Sequence, residues 1–222
     1  MKSHSSVSEQ IEDVRSSYDR VADEYVTRIY DELKDKPFDR ALLDRFAASV
    51  KGLGKACDIG CGPGQIARYL HDLGVEVCGV DLSPEMIKRA RELSPGIDFA
   101  QGNMLKLDIE DETWGGIAAF YSIINIPRAN AIAALRELKR TLKPEGLLLL
   151  AFHIGDETKH LDEWWGHKVS IDFSFFRTEE MIRYLKDAGF EIEQTLERDH
   201  YPDVEYESQR AYIFARRPVS NN

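Results

Sequence analysis

The chain has 222 residues and a mass of 25.4 kDa, the size of one ordinary domain with enough chain to build its own core. It is 43 % hydrophobic and 31 % charged, and 29 basic against 39 acidic residues give a net charge of −10. That balance argues against a nucleic-acid backbone or an anionic membrane surface as the main partner, since both are held by an excess of Lys and Arg.

The N-terminal MKSHSSVSEQ is polar and lacks the apolar stretch of a secretory leader. The longest strongly apolar run, Leu147 to Phe152, is too short to span a bilayer. Three cysteines, Cys57, Cys61 and Cys78, make no disulfide framework and no metal-ligand spacing. A cytoplasmic protein without a metal site is the expectation.

In chain order, Val14, Tyr18, Val21, Tyr25 and Ile29 recur at steps of three and four, one stripe of a helix. Pro37 opens a second helix carrying Phe38, Leu42, Phe46 and Val50. Strand and helix then alternate: strand 56–59, helix 66–73, strand 75–80, a helix behind Ser83-Pro84, strand 97–100, strand 117–124, a helix through Ile132 and Leu142, and strand 147–153. The segment 154–177 carries His160, Trp164, Trp165, His167, Phe173, Phe175 and Phe176. It reads as an aromatic lid or a packed appendage, with a short helix or turn near 162–166. Helix 178–188 and strands 190–197 and 211–216 close the chain, the last two too near for a helical crossover and therefore antiparallel.

The alternation predicts an α/β, doubly wound, mostly parallel sheet. A single domain is expected: a helical N-terminal extension over 9–50, a ligand-binding core over 51–153, the insert 154–177, and a closing helix and hairpin over 178–217.

The chemistry concentrates in Asp58-Ile59-Gly60-Cys61-Gly62-Pro63-Gly64, between the first strand and the next helix. Alternate glycines let the chain turn sharply and let a ligand approach the backbone, ahead of the positive end of a helix dipole. The third glycine comes one residue earlier than in the dinucleotide fingerprint, which speaks against a nicotinamide oxidoreductase. Asp81 ends the second strand, seventeen residues after Gly64. A carboxylate there accepts hydrogen bonds from both ribose hydroxyls, and Ser83 already supplies the helix cap.

DIGCGPG, GVDLSPEMI and QGNMLKL, each following a strand, resemble the linked motifs of class I S-adenosylmethionine-dependent methyltransferases. The resemblance covers about residues 50–150 and extends to the closing strand pair. It implies a seven-stranded sheet with an antiparallel last strand, S-adenosylmethionine as cofactor and S-adenosylhomocysteine as product. It further implies that Gly60, Cys61, Gly62 and Gly64 wrap the methionine part, that Asp81 holds the ribose, and that Leu82 and Met86 pack near the adenine. Asn103 and Met104 would meet the adenine edge, and Tyr121 and Ser122 would face the methionine or the acceptor. Tyr18 and Tyr25 match aromatic positions of a closing helix, though their stripe equally suits core packing. Relatives often carry Asp where this chain has Asn103, and an acid where it has Gly115.

His153 ends the fifth strand and reads either as a general base or as a structural histidine. Trp164, Trp165, Arg198 and Tyr201 are the expected acceptor-binding side chains. The acceptor is expected to be a small molecule taking the methyl on oxygen, nitrogen or carbon, with no nucleic acid or membrane partner and a monomer or homodimer as the assembly. The alternative is a module that binds the cofactor without catalysis.

Overall fold

In the computed structural model, which describes residues 6–219, the first element is helix α1 (Val7–Ile29). Ser6 and Glu9 form a reciprocal capping box, the Ser6 side chain accepting from the Glu9 N–H and Glu9 accepting from the Ser6 N–H. The first five residues of the polar N-terminal stretch lie outside the described residues. Helix α2 (Pro37–Val50) starts with proline at its first turn.

Seven strands form the main sheet: β1 (Ala56–Ile59), β2 (Val77–Asp81), β3 (Asp98–Gln101), β4 (Trp114–Phe120), β5 (Leu142–His153), β8 (Glu191–Arg198) and β9 (Arg210–Arg216). Their order is β3-β2-β1-β4-β5-β9-β8. The first five run parallel, and β9 is antiparallel to both β5 and β8. The doubly wound sheet with an antiparallel last strand is therefore present, and that last strand lies inside the sheet with β8 at the edge. Helices α3 (Gln65–Asp72) and α4 (Pro84–Leu93) cover one face beside α2; α5 (Ala131–Thr141) and α6 (Thr178–Asp187) cover the other. No described helix is long and apolar enough to cross a membrane.

Three expectations change. Helix α2 belongs to the sheet layers: Leu43, Phe46 and Val50 pack with Leu147, Leu149 and Phe214, so only α1 stands outside as a cap. The fourth strand starts at Trp114 and stops at Phe120, because Tyr121 takes φ +52° and the apolar residues after it form a buried single turn, Ile123–Asn125. The insert is a β-hairpin of β6 (Thr158–Trp164) and β7 (His167–Ser174), joined by Trp165-Gly166 with φ +51° and +81°, the signs of a type I′ turn. The hairpin packs Val169 and Ile171 against Val21, Val14 and Tyr18 of α1. Ser17 seals the contact, donating to the Ser170 carbonyl at 3.1 Å and accepting from the Ser170 N–H at 3.0 Å.

Candidate active site

The parallel strands end at one edge of the sheet, and the turns leaving β1, β2, β3 and β4 surround a cleft roofed by α1. Gly60, Gly62 and Gly64 all have positive φ, at +69°, +52° and +87°. They do different work. A Cβ on Gly62 would meet nothing nearer than Tyr25 at 3.7 Å, so its backbone faces open cleft. A Cβ on Gly64 would lie 2.8 Å from the Phe99 ring, so that glycine serves the packing of α3. Gly115 is explained in the same way: a side chain there would run into the Leu53 backbone at 2.6 Å.

Asp81 sits where β2 ends. Its carboxylate accepts from the Gly62 N–H and from the Ser83 N–H, each at 2.8 Å. Burial pushes its pKa up to about 6 against the pull of those two bonds, with nearby Asp19 adding to the rise. Asp58 lies deeper, accepts from the Ala67 N–H at 3.0 Å, and is pushed up to about 8 by burial. Neither acid has an ion-pair partner among the described residues. Ser83 caps α4 by accepting from the Met86 N–H at 3.1 Å and donates to Asp19 of α1 at 2.6 Å, which ties the roof to the floor.

The free cavity within this cleft is about 90 Å³. Leu82, Asn103 and Met104 bound one end of it, and Gly60, Tyr121 and Ser122 the other, with Tyr18 and Tyr25 above. Asn103 spends one lone pair on its own turn, accepting from the Leu105 N–H at 2.9 Å. The strained φ of Tyr121 turns Ser122 under Gly60, and the Ser122 hydroxyl, in a residue only 8 % exposed, has no partner among the described residues. Asn125 also reaches the cleft, donating from Nδ2 to the Tyr18 hydroxyl at 3.0 Å. Sequence reasoning missed Asn125, whose place depends on the buried turn that follows Tyr121.

Other expected site residues lie elsewhere. Cys61 is buried with its thiol turned back to the Gly62 carbonyl, and Met86 is buried behind the α4 cap. Trp164 and Trp165 stack on each other at 4.7 Å and clamp Tyr18 and Tyr25 edge-on, so they brace the roof instead of lining the cavity. His153 lies behind Tyr121, stacked on Phe175 with ring centroids 5.0 Å apart, and its Nδ1 shares a hydrogen bond with the Ser208 hydroxyl at 2.7 Å. Burial, followed by the charges of Arg210 and Lys36, lowers its pKa to about 3. It is a neutral ring at physiological pH, too weak a base to hold a proton there.

Arg198 and Tyr201 belong to a buried charge cluster beneath the same edge. Arg198 bonds Asp39 at 2.6 Å and Glu205 at 2.7 Å, and Lys36 and Arg210 each reach Glu205 at 3.2 Å. Burial raises the Glu205 carboxyl, but Arg198, the Tyr201 N–H, Lys36 and Arg210 outweigh it and hold the pKa at about 2. Tyr201 accepts from the Phe38 N–H at 3.1 Å, and Tyr212 bridges Tyr121 to Asp39 at 2.9 and 3.0 Å. These groups bind the last hairpin to α2.

A family model described as a methyltransferase domain matches residues 56–146, the span that builds the cleft floor. The chain therefore carries a methyltransferase domain over this span and resembles the class I S-adenosylmethionine-dependent methyltransferases. Among curated relatives of this methyltransferase, YqeM of Bacillus subtilis (strain 168) is 27 % identical over 199 residues, 81 % of this chain and 80 % of that one. The malonyl-[acyl-carrier protein] O-methyltransferase of Enterobacter lignolyticus (strain SCF1) is 29 % identical over 156 residues, 68 % of this chain and 58 % of that one. A crystal structure of a SAM-dependent methyltransferase from Methanosarcina mazei superposes with a TM-score of 0.68 at 19 % identity, covering 75 % of this chain and 93 % of that one, which shows a shared fold.

The residues present suit the cofactor the family uses. The open backbone at Gly62, the cation-free Asp81 and the unpartnered Ser122 hydroxyl supply a peptide surface, a diol acceptor and a spare polar group in one cleft.

Proposed function

We propose that this methyltransferase moves the methyl group of S-adenosylmethionine to an oxygen, nitrogen or carbon atom of a small molecule, in the cleft under α1. The cofactor, when bound, supplies an activated sulfonium methyl. Asp81 takes the two ribose hydroxyls with the lone pairs left by Gly62 and Ser83. Leu82 and Met104 flank the adenine, and Asn103 offers its amide to the adenine edge. The backbone at Gly60 and Gly62 lies along the methionine part, with Ser122 and Tyr121 beyond it. Tyr18 and Tyr25 close over the ligand and exclude water. The 90 Å³ cavity is smaller than the roughly 300 Å³ at which small-molecule pockets begin, so α1 withdraws for loading.

Transfer needs the acceptor lone pair in line with the carbon–sulfur bond. Held by Asp81 and the backbone at Gly60 and Gly62, the cofactor would supply the methyl to the acceptor's lone pair and keep the bonding pair on sulfur, and the acceptor's proton would be released as the products leave the cleft. Holding the partners at near-attack distance removes roughly 7–11 kcal/mol from the barrier. With His153 neutral and held behind Tyr121 against Phe175 and Ser208, orientation and dryness carry the rate, and the cap formed by α1 and the β6–β7 hairpin provides both.

The observation that carries this reading is the half-buried Asp81 without a counter-cation among the described residues, beside the open face of Gly62. The Enterobacter relative is named for methylating oxygen of a malonyl group borne by acyl-carrier protein, and the net charge of −10 of this chain disfavours nucleic acid. Calorimetry with S-adenosylhomocysteine tests the site, and label transfer from methyl-labelled S-adenosylmethionine across a metabolite panel tests turnover. Micromolar binding with transfer to at least one compound is expected. Binding without transfer to any compound would leave a cofactor-binding module.

A further inference from the structure

A second cavity of about 220 Å³ adjoins the cofactor cleft, enclosed by the first turns of α1, the segment after β4 and the outer face of the β6–β7 hairpin. The two cavities share Val14, Asn125 and Ile126 in their walls, so only these side chains stand between them. Asn125 stands at the junction. Its Nδ2 is spent on Tyr18, while its Oδ1 is buried and has no partner among the described residues.

The wall carries two carboxylates, Asp13 and Asp172, beside the amide of Gln10 and the hydroxyls of Thr158, Ser170 and Ser174. Among the described residues Asp13 receives only the Ser170 hydroxyl, at 3.3 Å. Asp172 shares the His160 ring at 2.7 Å, and the other side of that ring faces Asp162 at 3.2 Å. The one guanidinium in the wall, Arg128, is consumed by Glu180 and by the Phe175 carbonyl. The chamber therefore offers negative charge and lone pairs to whatever enters.

We propose that this chamber is the acceptor subsite of the methyltransferase and takes a small molecule bearing a cationic amine, held by Asp13 and Asp172 with a donor group on Asn125 Oδ1. The inference rests on the cofactor reading above and adds a substrate class to it. A volume of 220 Å³ lies below the roughly 300–1,000 Å³ of pockets for drug-sized ligands, and suits a compact amine better than a long acyl or isoprenoid chain. The ammonium is the anchor, and the nucleophile is the end of the molecule nearest Asn125.

The test uses the full chain saturated with S-adenosylhomocysteine, at low and at physiological salt. Binding of 1,4-diaminobutane, 1,4-butanediol and succinate is compared by calorimetry. The diamine is expected to bind at least tenfold tighter than either partner. Asp13→Asn and Asp172→Asn, both at exposed positions, are expected to weaken the diamine threefold to tenfold each while S-adenosylhomocysteine affinity stays unchanged. Asp13→Glu is expected to restore most of the loss. Equal binding of diamine and diol, or unchanged diamine affinity in both Asn variants, overturns the inference and leaves the cofactor site standing. Failure of S-adenosylhomocysteine itself to bind overturns both.

Discussion

Two sets of buried acids lie at the same edge of one sheet, and their charges are handled in opposite ways. Beneath β5 and β9, Glu205 and Asp39 are surrounded by Lys36, Arg198 and Arg210, and the Glu205 carboxyl is held down to about 2. Beside β1 and β2, Asp58 and Asp81 have only backbone N–H donors, and burial lifts them to about 8 and about 6. The first set has its charges paired within the protein. The second keeps unused accepting capacity at a cost to the fold, as expected where a ligand supplies the missing donors. A buried acid thus marks a binding site through what its neighbours leave undone.

That contrast can be broken most forcefully at the complete set. Glu205→Ala takes a carboxylate from three cations and leaves Arg210 without one, while Lys36 keeps Glu32 and Arg198 keeps Asp39; removing one partner of a buried charge group costs about 3–5 kcal/mol, and urea denaturation should show a loss of that size. The acid dependence follows from the direction of the shift. Glu205 is lowered in the fold, so its stabilisation is present above its unfolded value and is lost as pH falls through that value toward about 2.

At the incomplete set the larger effect is on ligand and the smaller on folding. Asp81→Ala should weaken S-adenosylhomocysteine by tenfold or more, about 1.4 kcal/mol or above, with little loss of stability. In the parent protein, affinity should be flat above pH 6 and fall about tenfold per unit below it, because the diol needs the ionised carboxylate. Calorimetry from pH 4.5 to 8 checks both.

The glycine turn divides along the same line. Gly64→Ala drives a Cβ into Phe99 and should cost the fold about 1–3 kcal/mol. Gly62→Ala meets open space, so beyond a backbone cost of about 1–2 kcal/mol its main effect should be on affinity. Thermal unfolding and ligand titration of the pair separate the two roles.

The smallest effect on turnover concerns His153, which does not titrate in the working range. His153→Gln should leave the shape of the pH–rate profile between pH 5 and 8 unchanged, since the parent ring is already neutral there. Asp58 is raised in the fold, so its contribution is full below its unfolded value and fades as pH rises through about 8. Asp58→Asn should therefore flatten the decline of the melting temperature between pH 6 and 9.

How much of the site was legible depended on whether a residue's role is local. Gly60, Gly62, Asp81, Leu82, Asn103 and Met104 follow directly from strands, and the turn after a parallel strand must emerge at the sheet's ligand-bearing edge, so their meeting in one cleft could be read from the chain. Tyr18 and Tyr25 were open between core and roof, and they face both the cavity and the tryptophans of the hairpin. Arg198, Tyr201 and His153 also sit at strand ends, yet they point into a cluster whose members Lys36, Asp39 and Glu205 come from distant segments. Nothing in their neighbourhoods in sequence distinguishes a waiting charge from a paired one.

Sequence alone determined the order of strands and helices in the main sheet, its parallel run, the glycine turn and its acidic partner, because apolar periodicity, turn residues and motif spacing are short-range properties. Tertiary structure alone decided that α1 and the hairpin form one cap, that Tyr121 bends the chain to bring Asn125 between two cavities, and which buried acids are neutralised. Those outcomes depend on which distant side chains come within hydrogen-bonding reach, and burial turns each such meeting, or its absence, into a large difference in charge stability.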